Sequence, residues 1–237
     1  KSVGRHVALK SIRAEYAHNP EFLRRFEAEA QIVAKVEHPH IVPLFGFWRD
    51  PDGAYLAMRL MRGGSLRESL DLGPWKAERI ALLVEQIASA AHAAHRQGVI
   101  HRDIKPGNIV LDEDGNAYLS DFGIARFLDS AQTLTTGGVP VTPAYVAPEI
   151  LEGPGVTSPR SDMYSLAIVA FEALTGNPPY PTDSMTAMIK HHLHDPLPPI
   201  ESMAAVNDVL ARATAKDPAR RYEDIRDFAS ALKDALG

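Results

Sequence analysis

His101-Arg102-Asp103-Ile104-Lys105-Pro106-Gly107-Asn108 is the stretch on which the reading of this chain turns. It sets an acid, a base and an amide within six positions, Asp103 to Asn108. Two more clusters follow in order, Asp121-Phe122-Gly123, which begins 18 residues after Asp103, and Ala147-Pro148-Glu149. Alone, Asp121-Phe122-Gly123 would read as an ordinary turn; its weight comes from its spacing behind Asp103.

Working outward, the segment from Val99 to Glu149 that carries all three clusters is loop-rich with short strand-like runs. Upstream, Lys76 to Gln97 has a helical stripe of Ile80, Leu83, Val84 and Ile87, stopped by Gly98. Downstream, helical patterns over Ser161–Thr175, Asp183–His194, Met203–Lys216 and Arg221–Leu236 are separated by Pro and Gly clusters. Further upstream the signals change. Val3–Ile12, Ile41–Trp48 and Ala54–Met61 read as strands, the last two joined by Asp50-Pro51-Asp52-Gly53. Between the first two strands a helix opens at Asn19-Pro20, with a stripe of Phe22, Phe26 and Val33. Glu29 falls on that stripe, where a carboxylate needs a cationic partner; the nearest on a predicted strand is Lys10. The change at Gly63-Gly64 predicts an α+β chain with a small, mainly β lobe (1–62), a larger helical lobe (63–237) and a crevice between them, where small ligands bind.

Composition narrows the function. The 237 residues are 45% hydrophobic and 23% charged, an ordinary globular balance. With 25 Lys and Arg against 30 Asp and Glu, the formal charge of −5 argues against a dominant nucleic-acid or anionic-membrane surface. The absence of cysteine removes disulfides, thiolate metal sites and a thiol nucleophile, and suits a reducing, cytoplasmic setting. No apolar run reaches the roughly 18 residues that span a bilayer, so any membrane tether is expected in segments outside this chain.

These motifs, in this order and spacing, resemble the eukaryotic-type protein kinases, in particular the Ser/Thr kinases of bacteria, over essentially the whole chain. About ten fixed positions agree, and at roughly one chance in twenty each, coincidence is negligible. The resemblance implies a two-lobed kinase fold, ATP and Mg²⁺ (or Mn²⁺) as cofactors, and protein Ser/Thr hydroxyls as acceptors. Phosphoryl transfer asks for charge neutralisation and in-line positioning more than covalent chemistry. Asp103 is then the residue that orients the substrate hydroxyl, and Lys105, of the Ser/Thr type, the one that reaches the transferred phosphoryl group. Asn108 and Asp121 are hard oxygen ligands suited to Mg²⁺. Lys10, in Val7-Ala8-Leu9-Lys10, matches the strand lysine that meets the α/β-phosphates and pairs with Glu29. Ala8, Met58, Arg59, Leu60, Met61 and Val110 are implied around the adenine, with Arg59-Leu60-Met61 as the hinge; Arg59 stands where the family often carries an acid.

The segment from Asp121 to Glu149 has the place of an activation loop. Thr133, Thr135 and Thr136 are its candidate phosphorylation sites, with Arg102 and Arg126 as a cationic pocket for the phosphate. Thr142 matches a residue that contacts Asp103 and Lys105 and seats the substrate. Glu149 is expected to pair with Arg221, and Asp162 to anchor the catalytic loop. A homodimer would let one copy phosphorylate the loop of another. His191, His192 and His194 are expected at a solvated helix end, and Met185 and Met188 in core packing.

One part of the family pattern has no counterpart. A glycine-rich loop should precede the strand lysine, yet only nine residues stand ahead of Lys10; a missing or disordered N-terminal hairpin of roughly 15–20 residues is the expectation. That gap is the only support for a rival reading as a pseudokinase, a nucleotide-binding scaffold without turnover. Lys10, Asp103, Asn108 and Asp121 all favour the enzyme. Small-molecule phosphotransfer is disfavoured by Lys105 and Ala147-Pro148-Glu149.

Overall fold

The structure is a computed structural model and describes residues 4, 6–12, 24, 36–50, 53–122, 143–151, 157–181 and 183–237. The helix expected after Asn19-Pro20, with Glu29, lies outside the described residues, as do Gly123, Arg126, Thr133, Thr135, Thr136 and Thr142.

Three strands form an antiparallel sheet in the order β1-β3-β2: β1 (Val7–Ile12), β2 (Leu44–Asp50) and β3 (Gly53–Arg59). Strand β2 starts later than the apolar run beginning at Ile41 suggests. Pro43 intervenes, and Ile41 and Val42 run instead beside Leu119, with Val42 N donating to Leu119 O at 3.0 Å. That pairing ties the sheet's loop to the larger lobe. Strand β3 ends at Arg59 and not at Met61, because the chain turns away to meet the strand at 109–111. Asp50 closes the β2–β3 turn by accepting the amide of Gly53 at 3.0 Å, and Trp48 and Tyr55 stack across the strands with centroids 5.5 Å apart. In the β1–β3 register Ala8 faces Met58 and Lys10 faces Leu56, so these four side chains share one face.

The crossing between the lobes is tight. The amide of Gly63 donates to Leu111 O at 2.9 Å, and the amide of Leu111 to Gly64 O at 2.8 Å. A Cβ at Gly63 would lie 2.3 Å from the carbonyl oxygen of Asp112, so only glycine allows this approach. Ser65 then caps a short helix, α1 (Leu66–Leu70), in a full capping box with Glu68. This helix is absent from the periodicity reading because five residues hold no stripe, yet Ser65-Leu66-Arg67-Glu68 carries the S-x-x-E signature of its start.

The larger lobe is built around two helices. The stripe of α2 (Ala77–His95), formed by Ile80, Leu83, Val84 and Ile87, is fully buried. Helix α4 (Pro159–Thr175) is buried on every side from Ser161 to Ala173, and α2, α6 (Ala204–Ala213) and α7 (Ile225–Leu236) pack against it. The remaining elements are the hairpin β4–β5 (Ile109–Leu111, Ala117–Leu119), α3 (Pro148–Leu151) and α5 (Met185–His194). Helix α7 starts at Ile225, capped by Asp224, and not at Arg221. Arg221 is extended, with φ −73° and ψ 178°, because its side chain is needed elsewhere.

Two buried ionic anchors fix the loops. Arg221 forks onto Glu149 with two contacts of 2.8 Å, and Ser161 Oγ adds a third bond to the carboxylate. The guanidinium's other hydrogens go to the carbonyls of Ala215, Arg160 and Lys216, so all five donors are used. The second anchor is Asp162, fully buried on α4, whose carboxylate accepts His95 Nε2 at 2.7 Å and the amides of His101 and Arg102 at 2.8 Å each. Burial would raise this carboxyl above its ordinary 3.8; the hydrogen bond and charge of His95 and the amide of His101 outweigh it and hold the group below that value.

Each anchor makes a prediction. Arg221→Ala leaves Glu149 charged and unpaired in the interior, and is expected to cost about 3–5 kcal/mol. At this chain length that is a fall of roughly 6–20 °C in the melting temperature by calorimetry; an unchanged melting curve would contradict the pairing. For Asp162, the native carboxyl stays ionised at pH values where the unfolded chain has taken up a proton. Its stabilisation is therefore complete above pH 3.8 and is lost as pH falls toward the native value. Urea titrations across pH 2–7 should show Asp162→Asn less stable at neutral pH and flatter than wild type in the acid limb.

Candidate active site

The loop between α2 and β4 carries the first group of candidate residues, and its shape follows from what holds it. Asp162 takes the amides of His101 and Arg102, and Arg102 sits at φ +68°, a left-handed backbone that costs a non-glycine residue about 1–3 kcal/mol and persists only when neighbours enforce it. His101 is fully buried and bonded on both ring nitrogens. Nε2 donates to Ser120 O at 2.8 Å, and Nδ1 accepts the amide of Asp103 at 3.2 Å. Both roles require the neutral Nε2–H tautomer, and burial lowers its pKa below the ordinary 6.5, in agreement. The imidazole thus joins Asp103 to the strand end that leads to Asp121, and Phe122 packs on its ring at 4.7 Å.

This brings Asp103, Lys105 and Asn108 together. Lys105 Nζ lies 2.8 Å from Asp103 Oδ2, and Asn108 Nδ2 donates both to that oxygen, at 2.7 Å, and to Asp103 O, at 2.8 Å. One carboxylate oxygen is therefore held by an ammonium and an amide, which fixes the rotamer and aims the other oxygen. Pro106–Asn108 form a 3-10 turn whose last residue is buried. Because both its Nδ2 bonds go to Asp103, Asn108 keeps Oδ1 as an acceptor. Ser120 bonds back to Asn108 O through both its amide and its hydroxyl, at 2.9 Å each, holding the segment that leads into Asp121 beside this turn.

Asp121 follows directly and takes φ +57°, the second strained non-glycine position of the site. Its Oδ1 meets Lys10 Nζ at 2.8 Å, with about a third of the lysine side chain exposed. This contact joins the sheet to the larger lobe across the crevice. The pairing of Lys10 with Glu29 lies outside the described residues; among the described residues Lys10 pairs with Asp121. Ala8 and Met58, on the same sheet face as Lys10, stand side by side on β1 and β3. Arg59 is the last residue of β3: its amide is taken by Pro43 O at 3.0 Å and its guanidinium lies 5.8 Å from the Tyr118 ring, and Leu60 and Met61 follow directly beyond the strand. Val110 bridges to Ser65, a few residues past Met61.

The donor set fits a hard divalent cation that keeps waters and phosphates as its other ligands. Asn108 and Asp121 offer two hard oxygens, and no cluster of three or more His, Asp or Glu that could form an all-protein cage occurs among the described residues.

The chain entering Glu149 is anchored by residues that the sequence reading passed over. Tyr145, in the turn Pro143–Tyr145, donates its hydroxyl to Glu172 at 2.6 Å, and Arg67 of α1 meets the same carboxylate at 2.7 Å. Burial and the Glu172 charge raise the tyrosine's pKa far above its ordinary value. A signal was present: Glu172 stands in the otherwise apolar run Leu166–Ala173 and needs a cation as Glu29 does. His192, expected at a solvated helix end, is instead fully buried, and of the two methionines on α5, Met188 is buried while Met185 is 44% exposed.

With this geometry in hand, comparison with known proteins is direct. The family model described as the protein kinase domain matches residues 1–234. The Serine/threonine-protein kinase PrkC of Bacillus subtilis is 37% identical over 238 residues, 98% of this chain and 37% of the relative. Serine/threonine-protein kinase PknD of Mycobacterium tuberculosis is 41% identical over 239 residues, 98% of this chain and 36% of the relative. The chain thus spans little more than a third of the length of these curated relatives. Among solved structures, the Mycobacterium tuberculosis PknI kinase domain superposes with a TM-score of 0.76 at 28% identity, covering 97% of this chain and 85% of that one. The small sheet, the larger helical lobe and the motif positions agree with this match, and the chain belongs to the protein kinase domain family.

Proposed function

We propose that this chain, as lobes 1–62 and 63–237, transfers the γ-phosphate of ATP to Ser or Thr hydroxyls of proteins. The observation that carries the reading is the fixed carboxylate of Asp103, held on one oxygen by Lys105 and Asn108. Its other oxygen accepts the hydrogen bond of the incoming hydroxyl and aligns it for in-line attack. Lys105 neutralises charge as the phosphoryl group passes. Lys10 holds the α/β-phosphates and pairs with Glu29, and Asp121 and Asn108 would hold Mg²⁺ or Mn²⁺, which supplies charge neutralisation on the phosphates. Ala8, Met58 and Val110 wall the adenine, with Leu60 and Met61 offering backbone groups to its edge. Thr142 and the turn behind it seat the acceptor.

The loop threonines Thr133, Thr135 and Thr136 are substrates of the same reaction, carried out between two copies in a transient homodimer, and the phosphate so added is received by Arg102 and Arg126. No helix among the described residues is long and apolar enough to cross a membrane. We place this domain's work in the cytoplasm, with any tether supplied by other segments of the protein.

The test uses the full-length protein with ATP and Mg²⁺ and mass spectrometry for phosphothreonine. Wild type should acquire phosphate on Thr133, Thr135 or Thr136, and Asp103→Asn should fall by about 10²–10⁴-fold, the usual share of a positioned acid–base group. Equal phosphate in both proteins, or in neither, would contradict the reading. Replacing all three threonines by alanine should lower the rate on an added peptide severalfold; an unchanged rate would remove the regulatory role of the loop.

A further inference from the structure

Ser120 spends each of its polar groups on the loop that carries Asp103. Its carbonyl takes the Nε2–H of His101 at 2.8 Å, and its amide and its hydroxyl both donate to the carbonyl of Asn108, at 2.9 Å each. These bonds close a ring. The amide of Asp103 donates to His101 Nδ1, and Asn108 Nδ2 returns to Asp103 through O and Oδ2. The serine is buried, and its one hydroxyl hydrogen goes to a carbonyl that an amide already satisfies. A bond that the acceptor does not need for its own satisfaction calls for another reason.

That reason is position. The two residues assigned above to the metal stand at the two ends of this contact: Asn108 itself, and Asp121, the next residue after Ser120. Asp121 has φ +57°, a left-handed backbone that persists in a non-glycine residue only where its surroundings enforce it. Its carboxylate meets Lys10, but that contact reaches across the crevice to the other lobe. Within the larger lobe, the peptide link to Ser120 ties Asp121 to the ring. A single amide bond to Asn108 would be a pivot about which the segment could swing. Two donors from one residue on the same oxygen leave it one placement. Groups that orient metal ligands in this way govern metal affinity without touching the ion.

Resting on the kinase reading above, we propose that Ser120 is a positioning residue for the divalent cation: its hydroxyl fixes Asp121 relative to Asn108 and so sets the affinity of the nucleotide-bound site for Mg²⁺. The hydroxyl acts through these two ligands. The gain in nucleotide affinity that Mg²⁺ brings therefore depends on it, and nucleotide affinity without metal does not.

The experiment is calorimetric titration of the full-length protein with the β,γ-imido analogue of ATP, once with a chelator and once with Mg²⁺. Ser120→Ala removes the hydroxyl and leaves the amide on Asn108 O, so no acceptor is orphaned. It should bind the analogue in chelator within about twofold of wild type and lose about fivefold of the Mg²⁺-dependent gain, the size of one modest hydrogen bond. In peptide phosphorylation the Mg²⁺ concentration giving half the maximal rate should rise by a similar factor. Ser120→Thr, which keeps the hydroxyl, should restore most of both. Should Ser120→Ala fail to fold, Ser120→Val set against Ser120→Thr, two side chains of one shape, carries the same comparison. A folded Ser120→Ala with a lowered melting temperature but an unchanged Mg²⁺-dependent gain would show a merely structural serine and overturn the proposal, as would an equal loss in the Thr variant or a parallel loss in chelator. A wild-type protein that neither gains nucleotide affinity from Mg²⁺ nor transfers phosphate would instead overturn the kinase reading, and this inference with it.

Discussion

The carboxylate of Asp162 is the point from which the geometry of the candidate active site is suspended. It is fully buried on a helix that is itself buried on all sides, and it accepts the consecutive amides of His101 and Arg102 and the imidazole of His95. A buried carboxylate is tolerable only when hydrogen-bonded, so the loop cannot leave without exposing an uncompensated charge in the interior. The same bonds hold Arg102 in its left-handed backbone, and that turn sends Asp103 toward the crevice. From there a chain of contacts runs through His101 to Ser120 and Asp121, and through Asp103 to Lys105 and Asn108. Loops position chemistry well only when a rigid scaffold over-determines them, and here the scaffold is the centre of the larger lobe.

Much of this was legible in the residues, and the reason is chemical. Charged and amide side chains at fixed spacing are costly to keep unless they do something, so Asp103, Lys105, Asn108 and Asp121 stand out from a loop-rich segment. The helical stripe of α2 was equally plain, since Ile80, Leu83, Val84 and Ile87 recur at the period of a helix. What could not be read were consequences of distant pairing. Arg221 looks like the first residue of a helix, but its five donors are claimed by Glu149 and three carbonyls, so α7 waits for Asp224. Ile41 looks like the start of a strand in the small sheet, but it runs beside β5.

Other misses were readable in principle. Ser65-Leu66-Arg67-Glu68 signals a helix start, and a carboxylate at Glu172 in an apolar run demands a partner, which Tyr145 and Arg67 supply. His192 shows the limit of reading by composition: three histidines near a helix end suggest solvent, while the helical turn decides that only one of them faces the core.

If Asp162 governs the site by holding the loop, its loss should affect the chemical step and spare nucleotide binding. The measurement is kcat for peptide phosphorylation by folded Asp162→Asn, alongside its affinity for ATP. The account predicts a fall in kcat of about 10²-fold, the order expected when a catalytic group is displaced by about 1 Å, with ATP affinity within about twofold of wild type. A folded variant that keeps the wild-type kcat would contradict it.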